Sequence, residues 1–296
     1  MTGDTTVQDL DRLLEYLRRS RGFDFGAYKR PSLQRRIHKR MQTVGVETVP
    51  EYVDHLEAHP DEFARLFDTI LINVTGFLRD PPAWDALRDT VIPRIVQPRS
   101  PDEPIRVWSA GSASGEEAYT VAMVLCEAMG MDAFRERVKI YATDVDEHAL
   151  GEARQAVYGD RSVENVPPEW LERYFTHGSS GGWAFHRELR RSVIFGRHDI
   201  LHDAPIPRVD LLVCRNTLMY FTAEAQARVL ARFSFALREQ GFLFLGKAET
   251  LITHDAPFRA ADLRSRIFIH NGRVGTGQRT TGPPERPPAA QRDLRR

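Results

Sequence analysis

The segment that most constrains the fold runs from residue 105 to residue 126. It begins with an apolar run, Ile105, Val107 and Trp108, which is the pattern of a buried strand. Small residues follow from 109 to 115, and apolar side chains then recur with helical spacing up to residue 126. Strand, small-residue turn and helix form the first unit of nucleotide-binding α/β folds. Because Gly111 and Gly115 lack a Cβ, we expect the backbone of this turn to approach a ligand closely.

Two carboxylates, Glu116 and Glu117, follow the turn directly and narrow the choice of ligand. The helix dipole favours acids in a first turn, which is enough to explain their presence. They would nevertheless repel a pyrophosphate, and the spacing is G-x-x-x-G rather than the G-x-G-x-x-G of dinucleotide folds. A ligand with an ammonium, a sulfonium and sugar hydroxyls is more compatible with them. S-adenosylmethionine carries all three groups.

A second buried strand, residues 138–143, leads into Asp144 and Asp146. In nucleotide-binding α/β folds an acid at this place, one helix after the glycine turn, binds ribose hydroxyls. The alternative role for such an acid is to cap the helix that starts at Glu147. We assign the ribose to Asp144, which lies nearer the end of the strand, and the cap to Asp146.

The composition of the 296-residue chain excludes several classes of protein. Lys+Arg and Asp+Glu number 41 each, and a net charge near zero argues against general nucleic-acid binding. No apolar run approaches the roughly 20 residues of a membrane span, and the N-terminus lacks the pattern of a signal peptide. Cys126 and Cys214 stand in apolar contexts, which indicates a reduced compartment, and the ten histidines show no metal-ligand spacing. These features predict a cytoplasmic, metal-free protein.

The chain divides into three regions by pattern. Residues 1–80 are predicted to form an all-α domain, with helices ending near Gly22, starting near Pro31, and covering 50–58 and 61–71. Residues 81–272 show the α/β rhythm of the second domain, interrupted by about 167–197, which we interpret as a small antiparallel β insertion for packing or partner docking. Strands at 241–247 and 266–270 should close the main sheet. Residues 273–296 are rich in Pro, Gly and Arg and are predicted to be disordered.

The second helix carries an asymmetric charge, with no acid between Asp24 and Glu47. Its basic residues are Lys29, Arg30, Arg35, Arg36, Lys39 and Arg40. A charge run of this kind is usually a solvated face, but surfaces normally mix their signs. A binding surface for an acidic protein is an equally good interpretation.

Four motifs in order make the chain resemble the CheR family, S-adenosylmethionine-dependent methyltransferases that esterify glutamate side chains of chemotaxis receptors. The motifs are Asn73-x-Thr75-x-Phe-x-Arg79-Asp80, Arg106-x-Trp-Ser-x-Gly-x-x-Ser-Gly-Glu-Glu, Ala142-Thr-Asp-Val-Asp and Cys214-Arg-Asn-Thr-Leu-Met-Tyr-Phe221. The resemblance covers residues from about 19 to 271. It implies a class I methyltransferase fold, which is built on a doubly wound sheet. It also implies that the protein binds S-adenosylmethionine as cofactor and releases S-adenosylhomocysteine as product.

The resemblance also implies roles for individual residues. The cofactor site would consist of Asn73, Thr75, Arg79, Glu117, Asp144, Asp199, Ile200, Arg215 and Asn216. Glu117 would contact the methionine ammonium, Asp144 the ribose, and the pair 199–200 the adenine. Arg79 and Tyr220 would be the catalytic groups beside the transferable methyl. The basic residues of the second helix would then bind the acidic, glutamate-bearing cytoplasmic helices of chemoreceptors.

Three alternatives remain compatible with parts of this pattern. The chain could be a non-catalytic scaffold that binds S-adenosylmethionine, although intact Arg79 and Tyr220 argue against it. It could be a carboxyl methyltransferase whose acceptor is not a receptor, because a fold does not determine the substrate. A dehydrogenase of Rossmann type is disfavoured by the missing G-x-G-x-x-G and the doubled glutamate. The sequence does not indicate an oligomeric state.

Overall fold

A computed structural model describes residues 7–71, 73–100, 103–178, 181–249 and 257–272. The helices are α1 (Val7–Arg21), α2 (Arg30–Val44), α3 (Val49–Ala58), α4 (Pro60–Ile70), α5 (Pro81–Ala86), α6 (Ile92–Val96), α7 (Glu116–Met129), α8 (Met131–Arg137), α9 (Glu147–Gln155), α10 (Asp160–Val163), α11 (Pro168–Tyr174), α12 (Arg187–Arg190) and α13 (Ala223–Ala236). A π-helical turn, Leu87–Val91, joins α5 to α6, and short 3-10 turns cover Phe25–Ala27 and Leu218–Tyr220. The tail that the composition predicts to be disordered lies outside the described residues.

The strands are β1 (Ile105–Ala110), β2 (Val138–Asp144), β3 (Val157–Tyr158), β4 (Phe175–His177), β5 (Trp183–Phe185), β6 (Val193–Arg197), β7 (Val209–Cys214), β8 (Leu237–Leu245), β9 (Phe258–Asp262) and β10 (Ile267–His270). None of the helices in the described ranges is long and apolar enough to cross a lipid bilayer.

In the helical region, helices begin and end at residues that favour helix ends. Helix α2 buries the stripe Leu33, Ile37 and Met41 and ends at Gly45, whose φ of 75° is the left-handed conformation that glycine tolerates best. Thr48 caps α3 and forms a capping box with Glu51, so two backbone donors at that end are satisfied reciprocally. The four helices predicted for this region are therefore present.

Seven strands form the main sheet, in the order β6-β2-β1-β7-β8-β10-β9. The first five are parallel, and β10 runs antiparallel to both β8 and β9. Strands β2 and β7 lie on opposite sides of β1, so the direction of winding reverses beside β1. This order confirms the doubly wound, class I methyltransferase fold, in which ligands bind outside the carboxyl ends of the strands at the reversal.

The small antiparallel sheet is present, but its predicted extent of 167–197 is wrong. Its strand order is β3-β5-β4, so it begins at Val157 and its last strand ends at Phe185. Strand β6 instead pairs in parallel with β2, from Ile140 against Val193 to Asp144 against Arg197. Local sequence shows that residues 193–197 form a strand, but the partner of a strand is decided by the tertiary structure.

The hydrophobic core consists of two clusters, one on each face of the main sheet. One contains Phe77, Val107 and Tyr119, and the other joins Leu13 and Tyr52 of the helical region to sheet residues that include Trp108, Leu212 and Leu243. A backbone hydrogen bond also joins the helical region to the segment before α13, since Thr222 N donates to Ala27 O at 2.9 Å. The helical region and the sheet therefore share one core along this face.

Candidate cofactor and active site

Two adjoining cavities lie at the carboxyl ends of the parallel strands. The space between atoms is about 640 Å³ in the first and about 440 Å³ in the second, counting the part that is open to solvent. Both are lined by Gly111, Ala113, Asn216 and Thr217, which follow β1 and β7 in the chain. The site is therefore at the reversal beside β1, as expected for this fold.

Every residue that the resemblance assigns to the cofactor or to catalysis lines one of these cavities. The first cavity contains Asn73, Asp144, Asp199, Ile200, Asn216 and Tyr220. The second contains Thr75, Arg79, Glu117, Arg215 and Asn216. Tyr220 consequently lines the first cavity and Arg79 the second, and the two cavities have Gly111, Ala113, Asn216 and Thr217 in common. The structure brings the set together, and the role of each residue stays a prediction.

Asp144 is fixed at the end of β2 by backbone donors. Its Oδ2 accepts from Ala113 N at 2.8 Å and its Oδ1 from Asp146 N at 3.0 Å. Burial raises the pKa of Asp144, and these amide donors oppose the shift. The side chain is thus held at the wall of the first cavity, where a hydroxyl-bearing ligand could reach its remaining lone pairs.

Asp146 caps α9, as the sequence predicts, through His148 N and Ala149 N. Its other oxygen, Oδ2, accepts a 2.6 Å hydrogen bond from the side-chain amide of Asn73. This contact links the segment between the helical region and α5 to the end of β2. Asp146 therefore positions a candidate cofactor residue in addition to ending a helix.

Both glycines of the turn have a positive φ and no space for a Cβ. Gly111 has a φ of 80°, lines both cavities, and a Cβ there would lie 2.4 Å from Thr217 Oγ1. Gly115 has a φ of 95°, and its Cβ would meet Ala153, Tyr158 and Phe195. Protein atoms therefore exclude a Cβ at both glycines, and Gly111 alone of the two also lines the cavities, so the expected close approach to a ligand concerns Gly111.

Glu117 provides a carboxylate in the second cavity. Its Oε1 accepts a hydrogen bond from Ser109 Oγ at 2.8 Å. Burial raises the pKa of Glu117 to about 7, although Arg215 and Arg79 act in the opposite direction. A cationic ligand group beside it would restore the charged form. Glu116 instead packs inside the protein and accepts from Ser114 Oγ at 2.7 Å.

Arg215 is a buried guanidinium that organises the loop carrying Arg79. Its Nη1 donates to the Arg79 carbonyl at 2.8 Å and its Nη2 to Asp80 at 2.8 Å, while its plane lies over the Trp84 and Phe244 rings. Trp84 Nε1 donates to the same carbonyl at 2.9 Å. Asp80 has a φ of 61°, a conformation uncommon for a residue with a Cβ. Arg215 therefore fixes the backbone from which the Arg79 side chain extends.

Glu249 is a site residue that the sequence analysis missed. Its buried carboxylate accepts from Gly246 N at 2.7 Å, Asn216 N at 3.0 Å and Leu218 N at 2.6 Å. Burial raises its pKa, opposed by these amides. It holds the loop after β7 in place, including Asn216, whose φ is 60°. Its position just past the end of β8, at the same edge as the other acids, is the signal that could have identified it.

The helical region also contributes to the first cavity through Tyr28, Ile70 and Leu71, which no motif indicated. Tyr28 is buried, and burial raises its pKa, with Asp199 and Asp144 adding to the effect. Its ring makes an edge contact with Phe221 at 4.8 Å between centroids. The cavity wall is thus completed across the boundary between the two regions.

The candidate adenine end lies in the loop after β6. Asp199 accepts from Leu201 N at 2.8 Å through Oδ1, and its Oδ2 lies 2.9 Å from His202 Nδ1. His198 lines the same cavity, with Nε2 3.0 Å from the Ala204 carbonyl and with a buried Nδ1 that has no partner among the described residues. This end therefore brings the Asp199 carboxylate to the first cavity, next to a histidine with one unpaired, buried ring nitrogen among the described residues.

The six basic residues of α2 do not act as one surface. Arg40 forms two 2.6 Å hydrogen bonds with the buried Glu62, which also accepts from Tyr52 at 2.9 Å. Arg30 pairs with Asp11 of α1, and Arg36 donates to the Ile70 carbonyl. The Arg36 and Arg40 interactions join α2 to α4, whereas the Arg30–Asp11 pair is about half exposed on both sides. Lys29, Arg35 and Lys39 are exposed.

Two of the six predicted binding residues, Arg36 and Arg40, thus have protein partners in α4, whereas Arg30 is exposed beside Lys29, Arg35 and Lys39. The binding face itself stays a prediction. A one-dimensional charge run contains no information about which cations have buried partners.

In the part of the chain that the structure describes, no group of three or more His, Cys, Asp or Glu side chains is placed to hold a metal ion.

Comparison with known proteins agrees with this geometry. Residues 73–267 match the family model described as CheR methyltransferase, SAM binding domain, and residues 8–71 match CheR methyltransferase, all-alpha domain. The chain belongs to the CheR methyltransferase family. The two models meet between residues 71 and 73, at the segment that carries Asn73.

Several CheR relatives and one longer protein align with most of the chain. A chemotaxis protein methyltransferase of Listeria monocytogenes is 34% identical over 271 residues, covering 89% of this chain and 99% of that protein. Chemotaxis protein methyltransferase 2 of Pseudomonas aeruginosa is 31% identical over 252 residues, covering 83% and 88%. An uncharacterized 104.1 kDa protein in the hypE 3′ region of Rhodobacter capsulatus is 38% identical over 294 residues, covering 97% of this chain. The chain spans 30% of the length of that third protein.

The cofactor of the CheR site is S-adenosylmethionine, as the matched domain indicates. The residues present fit it. Burial raises the pKa of Glu117, in the second cavity, to about 7, so a cationic ligand group there would stabilise its charged form. His198, which lines the first cavity, has a buried Nδ1 with no partner among the described residues. The second cavity would hold the amino-acid end of the cofactor and the first its adenosine.

Proposed function

We propose that the protein transfers a methyl group to the carboxylate of glutamate side chains on chemotaxis receptors. The observation that carries this proposal is the pair of cavities. They are lined by Glu117 and Asp144, the carboxylates we assign to the ammonium and the ribose, and by Arg79 and Tyr220, which we assign to the surroundings of the methyl. The names of the Listeria and Pseudomonas relatives support the chemotaxis setting.

The chemistry requires little from the protein beyond placement. When bound, the cofactor supplies an activated methyl on a sulfonium. A glutamate side chain has an ordinary pKa near ~4.3 and is ionised at neutral pH, so no general base is needed. The protein's contribution is to orient the acceptor oxygen in line with the methyl and to exclude water.

Arg79 and Tyr220 have separate tasks in this proposal. Arg79 extends from the loop fixed by Arg215 and shares the second cavity with Glu117, so its guanidinium serves carboxylates at that end. It can hold the cofactor's own carboxylate as well as orient the acceptor. Tyr220 lines the first cavity, where its ring would limit the space around the methyl.

The acceptor is proposed to be an acidic helix that lies against the exposed cations Lys29, Arg35 and Lys39. Arg35 and Lys39 are four residues apart and share the outward face of α2, opposite the buried stripe. Complementary charge of this kind would raise the rate of encounter and would weaken with added salt.

The experiment that tests the function uses methyl-tritiated S-adenosylmethionine and purified receptor cytoplasmic fragments. Label released as volatile methanol in alkali is expected, because that is the behaviour of a methyl ester. The variant Arg79→Ala should lose transfer, whereas Arg135→Ala, an exposed arginine paired with Glu188, should retain it. Cofactor binding without transfer to any receptor fragment would favour a scaffold or another acceptor.

A further inference from the structure

Arg36 is directed toward the cofactor site although it belongs to the basic helix. It is half-buried, it donates to the carbonyl of Ile70 at the end of α4, and its Cζ lies 5.2 Å from the centre of the Tyr220 ring. Burial lowers the pKa of Arg36, and its electrostatic interaction with the Tyr220 side chain opposes this shift. The guanidinium of Arg36 thus contacts both the end of α4 and the ring of Tyr220, a candidate catalytic residue.

The backbone around Tyr220 is held by the same part of the chain. Lys29 N donates to the Tyr220 carbonyl at 2.9 Å, and a β-bridge joins Tyr28 to Phe221. The main chain of the tyrosine is therefore fixed from the start of α2. Arg36, two turns further along the helix, contacts the side chain.

We propose that Arg36 is a positioning residue for Tyr220 and does not bind the acceptor. The inference rests on the proposed function and deepens it. A guanidinium over an aromatic ring is held by the ring's negative face, and its planar group restricts the tilt of the ring. Because Tyr220 lines the cavity in which the methyl would lie, a displaced ring would change the geometry of transfer more than the binding of either substrate.

The sequence offers a matched control, because Arg35 is the neighbouring residue and points outward. The two arginines have the same chemistry but should affect different constants. Arg35→Ala should raise the KM for the receptor fragment with kcat nearly unchanged. Arg36→Ala should lower kcat by about tenfold with the acceptor KM and the cofactor Kd nearly unchanged. Arg36→Lys, which keeps the charge but not the planar group, should recover only part of kcat.

A double-mutant cycle separates positioning from an independent effect. If Arg36 acts through the tyrosine, Arg36→Ala should cause no further loss of kcat in a Tyr220→Ala background. Multiplicative losses would overturn the inference, as would an Arg36→Ala variant that raises acceptor KM in the manner of Arg35→Ala. Thermal unfolding and cofactor Kd of each variant establish that the fold is intact.

The positioning can also be measured without turnover. In protein labelled with ¹³C in the tyrosine rings, the Tyr220 signal is identified by its absence from Tyr220→Phe. Arg36→Ala should shift that signal and Arg35→Ala should leave it in place. An unmoved Tyr220 signal in Arg36→Ala would overturn the inference. Absence of methyl transfer by the unmodified protein would instead contradict the proposed function, and the ring signal would still decide the positioning.

Discussion

At the scale of single residues, Glu117 makes cofactor binding depend on pH. Its pKa is raised to about 7 by burial, so a substantial fraction is neutral at pH 7 in the free protein. Binding an ammonium requires the charged form and lowers this pKa. The affinity for the cofactor should therefore approach its maximum about one pH unit above 7 and fall as the pH drops, to about tenfold weaker at pH 6 than at pH 8.

Calorimetry at several pH values, in two buffers with different ionisation enthalpies, measures both the affinity and the proton released. Glu117→Gln should bind more weakly at pH 8 and lose the dependence between pH 6 and 7.5. A wild-type affinity that stays constant over that range would show that Glu117 does not face the ammonium.

Gly111 tests how much of the site depends on one missing side chain. In Gly111→Ala the new Cβ would lie 2.4 Å from Thr217 Oγ1, on a backbone with a φ of 80°. We expect the free energy of unfolding to fall by about 2–3 kcal/mol and the cofactor to bind more weakly. The matched control is Gly151→Ala in α9, where nothing lies within 4 Å and a gain of about 0.5–1 kcal/mol is expected. Equal stability of the two variants in urea unfolding would refute the steric argument.

At the scale of elements, the loop after β7 depends on Glu249. Replacing it with alanine leaves the amides of Asn216, Leu218 and Gly246 without their acceptor. We expect Glu249→Ala to lower the free energy of unfolding by about 2–4 kcal/mol and to weaken cofactor binding, because Asn216 lines both cavities. Denaturant unfolding and calorimetry measure the two effects.

An exposed glutamate provides the comparison for this loop. Glu136→Ala in α8 removes the same carboxylate from a solvated position and should change stability by no more than about 0.5 kcal/mol. If Glu249→Ala were no worse than Glu136→Ala, the loop would have to be held by other contacts.

At the scale of the whole molecule, the shared core predicts cooperative unfolding of the helical region and the sheet. The four tryptophans lie between residues 84 and 183, so their fluorescence reports on the methyltransferase domain, whereas far-UV circular dichroism reports on both regions. We expect the two signals to change at the same temperature and S-adenosylmethionine to raise that temperature for both. An earlier transition seen only by circular dichroism, and unmoved by the cofactor, would mean that the helical region unfolds alone.

The sequence by itself determined the main helices and strands and the end of the sheet at which the candidate site lies. Apolar periodicity located the helices of residues 7–70 and the strands β1, β2 and β7, because burial imposes a period on any chain that forms them. The glycine turn, Asp144 and the motif around Tyr220 identified the ligand end of the sheet, because parallel strands place their carboxyl ends together.

Only the tertiary structure decided which groups became partners. Strand β6 joined the main sheet rather than the insertion, Arg40 paired with Glu62, and Glu249 reached the loop of Asn216 from the next strand. It also divided one basic helix into cations that hold the protein together and cations that face solvent. The physical reason is that a pattern along the chain records whether a side chain is buried or charged, whereas its partner is set by residues far away in sequence that folding brings to the same place.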